Sequence, residues 1–144
     1  MTFRPLERAG LIEPYRVPLT EIEDLLEVAR RDVKTARELV DIDLDWALIV
    51  AYNAALQAGL ALMYAKGYRP KGPDKHKTVI RFLRAILDPA FGPKINRLDR
   101  IRKKRHRAVY HLAGAVSERE AKGIIEFAEE FVTEFASLIE KEVR

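Results

Sequence analysis

The stretch 43-DLDWALIVAYNAALQAGLALMYAKG-67 decides the fold: after Asp45, twenty consecutive residues carry no charge. Laid on a helix, its apolar side chains face nearly every direction, as in a membrane span or the central helix of a bundle. Asn53, Gln57, Tyr52 and Tyr64 interrupt the run, which favours the bundle. Asp43 is placed to cap the first turn, and Gly67 to end the helix in a left-handed conformation.

Helical signals continue on both sides. Thr20 and Glu23 have the spacing of a capping box before Ile22, Leu25, Leu26, Ala29, Val33, Ala36 and Val40, which share one face. After Gly67, the segment 68-YRPKGPDK-75 reads as a loop, and a third helix is predicted over about 74–87, ending before Asp88-Pro89. The segment 88-DPAFGP-93 connects it to a fourth helix from near Pro93 to around Gly114. Ser117 and Glu120 form a second capping box. A last helix then buries Ala121, Ile124, Ile125, Ala128, Phe131, Val132, Phe135, Leu138 and Ile139. No segment shows the strict alternation of a half-buried strand. The expectation is an all-α chain: an antiparallel bundle of four to five helices over 19–144, preceded by an extended or loosely attached arm over 1–18 with Pro5, Pro14 and Pro18.

A chain of 144 residues is one domain by length. It has no cysteine, which excludes disulfides, thiolate metal sites and cysteine nucleophiles. The opening MTFRPLERAG lacks the apolar core of a signal peptide, so a cytoplasmic protein with no membrane span is expected. Asn occurs twice and Gln once beside abundant Glu, Lys and Arg, a bias expected of a thermophile.

The net charge of +4 conceals a sharper pattern. Residues 66–107 carry fifteen Lys or Arg against Asp74, Asp88 and Asp99, whereas both flanks are net acidic. A basic centre either attracts a polyanion or pairs internally with the acidic flanks, and a sequence leaves both open.

The densest part is 100-RIRKKRHRAVYHLAG-114, which holds two of the three histidines. On a helical wheel Ile95, Leu98, Ile101, Ala108, Val109 and Leu112 form one apolar stripe, with Arg105 near its middle. An unpaired buried guanidinium is costly, so Arg105 must meet an acid from another helix or sit in a cleft. Lys103, Lys104 and Arg107 point away from the stripe. His106 and His111 leave it on opposite sides, each roughly 110° away. Arg102, His106 and Tyr110 share a further face at i, i+4 spacing. His76 is expected to be solvent-exposed. No Walker loop, dinucleotide fingerprint, HExxH or GxSxG motif occurs, and neither metal nor cofactor is expected.

The pattern of 51-AYNAALQAGLALMYAKGYRP-70, a loop with His76, then 97-RLDRIRKKRHRAVYH-111 resembles the HEPN domain family over about residues 20–140. The resemblance implies an antiparallel helical bundle that usually forms a homodimer. Many such domains are metal-independent ribonucleases with an Arg, four to six intervening residues, and a His; several are toxins paired with a nucleotidyltransferase antitoxin. Carried onto this chain, the Arg is Arg105, its polar follower His106, and the His is His111. Arg100 with His106, and Arg69 with His76, satisfy the same spacing. The commoner four-residue spacing would put the His where Tyr110 stands, as in branches without an evident catalytic His.

The reading is therefore an endoribonuclease using Arg105, His111 and His106, with Arg102, Lys103, Lys104, Arg107 and Tyr110 contacting RNA. The alternative is a non-catalytic module that binds RNA, a nucleotide or a partner protein through the same groove.

Overall fold

The computed structural model describes residues 3–110 and 113–143. Its elements, in order, are α1 (Arg4–Arg8), β1 (Ile12–Pro14), α2 (Leu19–Leu39), α3 (Leu44–Ala65), β2 (Tyr68–Pro70), α4 (Lys75–Ile86), a 3-10 turn (Pro89–Phe91), α5 (Gly92–Tyr110) and α6 (Glu118–Val143). Helices α2 to α6 make the all-α bundle that the apolar periodicity predicts.

Helix α3 occupies the centre, packing against α2, α4, α5 and α6. Small side chains make this possible: Ala47, Ala51, Ala54, Ala58 and Ala61 are fully buried and let neighbouring backbones approach. At Gly59 a Cβ would lie 3.0 Å from Cδ1 of Leu83, so α4 rests directly on this position. Length and composition alone would let α3 cross a membrane, yet 67% of its apolar window is buried inside the bundle. That burial is the environment of a core helix.

Asp43 accepts a hydrogen bond from the Trp46 amide at 3.1 Å, and Gly67 adopts a φ of +90° past the other end of α3. Ser117 Oγ accepts from the Glu120 amide at 3.1 Å before α6. The first capping box is not used. Helix α2 begins at Leu19 after an extended Pro18, so Thr20 lies inside the helix instead of before it, and no side chain caps that end.

Helix α6 contributes a ladder of rings. Phe127 and Phe131 are tilted at 5.5 Å, Phe131 and Phe135 stack at 4.0 Å, and Phe91 meets Phe135 edge-on. On α2 the buried Asp32 accepts from Asn53 Nδ2 at 2.7 Å, which gives the polar interruption of α3 a structural role.

The described part of the arm, residues 3–18, packs on the bundle. It carries α1 and β1 and buries Leu6 and Ile12. Phe3 packs against Tyr68 and Phe82. Strand β1 pairs antiparallel with β2, Ile12 opposite Pro70 and Pro14 opposite Tyr68. Two three-residue strands are too short for alternation to register in the sequence, and they form because the α3–α4 connection offers an open backbone edge.

Candidate functional site

Helix α5 packs into the bundle by its first half only. Ile95, Leu98 and Ile101 are buried, but beyond Ile101 no described α5 residue is. Ala108 is half-buried and Val109 is 39% exposed. The apolar stripe thus does not carry Arg105 into the core, and Arg105 is half-exposed. Of the two alternatives that the wheel left for Arg105, the structure selects the cleft.

That cleft, about 230 Å³, lies between the start of α4 and the second half of α5 and is lined by Asp74, Lys75, His76, Lys77, Arg102, Arg105 and His106. Asp74, directly before α4, has a left-handed backbone with φ of +57°. Aspartate tolerates this conformation better than most residues, and it turns the chain into the helix that carries His76.

The expectation that His76 is solvent-exposed is corrected. It is half-buried on the first turn of α4, and its Nδ1 lies 3.1 Å from the Tyr52 hydroxyl. The two rings sit 5.7 Å apart. Burial pushes the His76 imidazole below its ordinary value, and the Arg105 and Arg102 guanidinium groups push it further the same way. Burial likewise drives the Tyr52 phenol far above its ordinary value, against the pull of both arginines. A signal for this pairing existed in the sequence: a tyrosine hydroxyl on an all-buried helix needs a polar partner.

The lowered pKa has a consequence for stability. Unfolded, His76 takes a proton near its ordinary 6.5; folded, it resists protonation to lower pH. The unfolded chain therefore binds more protons in that window, and this contribution, present above 6.5, is lost as pH falls through the folded value. Thermal melts should show Tm dropping as pH is lowered from 7 through this range, with a smaller drop in His76→Gln. Equal drops in both proteins would contradict the assignment.

Charges along α5 divide into engaged and unengaged ones. Asp99 accepts from Arg102 at 2.9 Å and lies 3.6 Å from Lys103. Desolvation opposes ionisation of Asp99, but the bonds and charges of Arg102 and Lys103 outweigh it and hold the carboxyl below its usual range. Lys104 Nζ donates to the Ala115 carbonyl at 3.2 Å and lies 3.3 Å from Glu120, so it is less solvated than the wheel implies. Elsewhere Lys66 pairs with Glu142, Arg69 with Glu13 and Lys94 with Glu134. The acidic flanks thus neutralise part of the basic centre. Among the described residues, Arg100, Arg105 and Arg107 have no ion-pair partner.

The residues singled out from sequence therefore separate. Arg102, Arg105 and His106 line one cleft together. Tyr110, 63% exposed, lies beside His106 with the two rings tilted and their centroids 4.8 Å apart. Lys103 is exposed beside Asp99, while Lys104 and Arg107 line a different groove, between α5 and α6. His111 and Leu112 lie outside the described residues. No group of three or more His, Asp or Glu with metal-binding geometry occurs among the described residues.

The HEPN domain family model matches residues 22–139. An archaeal HEPN homologue of known crystal structure superposes with a TM-score of 0.64 at 21% identity, covering 82% of this chain and 97% of its own. A protein from Thermus thermophilus, also of known crystal structure, gives 0.62 at 21% identity, covering 84% of this chain and 97% of its own. At that identity these likenesses speak to fold alone. No curated protein matches.

Proposed function

The chain belongs to the HEPN domain family, and we propose that it is an endoribonuclease whose working site is the cleft between α4 and α5. The observation that carries this reading is the gathering of two histidines and two arginines, His76, His106, Arg102 and Arg105, around one small opening. Metal-independent RNA cleavage requires a base, an acid and fixed positive charge, and this set supplies all three.

In the proposed reaction His76 is the base. This role requires the tautomer in which Nδ1–H donates to the Tyr52 oxygen and leaves Nε2 as the basic nitrogen; burial and the neighbouring guanidinium groups favour the neutral ring. It takes the proton of the RNA 2′-OH as that oxygen attacks the adjacent phosphorus. Arg105, free of a protein counter-ion among the described residues, grips the phosphate and offsets the charge developing on it. The P–O5′ bond breaks, and His106 donates a proton to the leaving 5′-oxygen. The products are a 2′,3′-cyclic phosphate and a 5′-hydroxyl. His76 takes the place that the family spacing gives to His111, which stays a second candidate.

In the same proposal the protein acts in the cytoplasm as a homodimer that brings two clefts together. It is the toxin of a pair whose antitoxin is a nucleotidyltransferase. The exposed Tyr110 beside His106 favours one alternative, a non-catalytic module that holds RNA or a nucleotide by stacking. The test is incubation of the purified protein with single-stranded RNA in EDTA: cleavage leaving cyclic phosphate ends supports the nuclease, and binding without cleavage supports the module.

A further inference from the structure

Apart from the His76 cleft, a groove of about 710 Å³ lies between α5 and the start of α6. Arg97, Arg100, Lys104, Arg107 and Arg119 line it, against the single carboxylate of Glu120. Glu120 is already engaged by Lys104, and Arg97 donates to the Gly123 carbonyl at 3.2 Å while covering the Phe127 ring. These contacts hold α5 to α6. Arg100, Arg107 and Arg119 remain exposed, with no ion-pair partner among the described residues.

Residues 100, 104 and 107 follow i, i+4, i+7 spacing on one face of α5. Arg102, Arg105 and His106 project into the cleft on the other side of that helix. Arg100 and Arg107 are separated by roughly 10 Å of helix rise, more than one phosphate group spans. The apolar lining is confined to Ile101 and Ile124, far short of the apolar centre that a protein partner normally covers. Guanidinium groups offer paired donors suited to phosphate oxygens.

We infer that this groove is a second phosphate-binding track, taking the backbone of a single-stranded RNA whose reactive linkage lies across α5 in the His76 cleft. The inference rests on the ribonuclease reading for the identity of the strand, but its geometry is independent of the cleft. Each half of the RNA contact then has a separate role: the α4–α5 cleft holds the reacting phosphate, and the α5–α6 groove holds flanking phosphates without chemistry. Affinity should therefore rise with RNA length beyond what the cleft alone can cover.

The test is the salt dependence of binding for a single-stranded RNA of about 20 nucleotides, read by fluorescence anisotropy in EDTA on His76→Ala protein so that cleavage does not interfere. Adding Arg100→Gln and Arg119→Gln removes two exposed cations that make no ion pair among the described residues. The slope of log K against log salt should become shallower by about 1.4, at about 0.7 per phosphate contact on a single strand. Removing the same charge from α2, with Arg30→Gln and Lys34→Gln, should leave the slope where it was. An unchanged slope in the groove variant, an equal loss in both variants, or no RNA binding at low salt overturns the inference. So does a poly-glutamate peptide that binds as tightly as the RNA and is lost in the groove variant, which would assign the groove to an acidic protein. The two readings fail separately. RNA that binds through the groove and is never cut by wild type removes the nuclease and keeps the track. RNA that is cut, with a slope indifferent to Arg100 and Arg119, does the reverse.

Discussion

His76→Ala should slow RNA cleavage by about 10²–10⁴-fold with little change in RNA affinity, because a base that moves one proton contributes about that much. His76, from α4, lines one cleft together with Arg102 and Arg105 of α5. Its ring is anchored by Tyr52 at 3.1 Å, so the alanine variant removes the base and leaves Arg105 where it stands. Arg105→Ala should lose cleavage to a similar degree and weaken binding as well, since phosphate is gripped before the reaction and more strongly during it. Half-exposed and without an ion pair among the described residues, Arg105 can be removed without breaking the fold, so circular dichroism and Tm should stay close to wild type. Single-turnover kinetics on one RNA substrate measure both variants. A His76→Ala protein that cleaves at the wild-type rate would move the base elsewhere, His111 being the next residue to replace.

Phe135→Ala should cost about 3–5 kcal/mol of folding stability. Phe135 is fully buried, stacks on Phe131 at 4.0 Å and is met edge-on by Phe91 from the turn before α5. Truncation removes the ring's transfer free energy and leaves a cavity between α6 and the turn that sets the direction of α5. Rigid neighbouring helices limit how far that cavity can collapse. Urea denaturation followed by far-UV circular dichroism would show the midpoint fall at nearly constant slope. A loss under about 1 kcal/mol would mean that α6 repacks and that the ring ladder does not fix the bundle.

The helices were legible because their signals are local. Asp43, Gly67 and Ser117 act at the ends where the sequence puts them, and the apolar faces of α2 and α6 bury as their spacing requires. The misread parts depend on contacts distant in sequence. Residues 12–14 become a strand only because residues 68–70 lie beside them. Thr20 is a local exception: it matches a capping pattern, but Pro18 already sets the entry into α2.

The site shows the same division. Arg102, Arg105 and His106 lie close along one helix, so their association is readable from spacing. His76 belongs with them only through tertiary packing of α4 on α3, which places it against Tyr52, 24 residues earlier. The wheel overstated the burial of Arg105 for a related reason: helical periodicity gives a direction, not the length over which a neighbour covers it. Helix α5 loses that cover after Ile101. The wheel pointed Lys104 and Arg107 away from the stripe that holds Arg105, and they line the groove against α6.

The most direct measurement is the chemistry of the RNA ends. Purified protein is incubated with 5′-labelled single-stranded RNA in EDTA, and the fragments are resolved before and after treatment with a phosphatase that acts only on opened, not cyclic, phosphates. The account predicts fragments ending in 2′,3′-cyclic phosphate, produced by wild type and lost in His76→Ala and Arg105→Ala. Intact RNA after prolonged incubation, or fragments with 3′-hydroxyl ends, would contradict it.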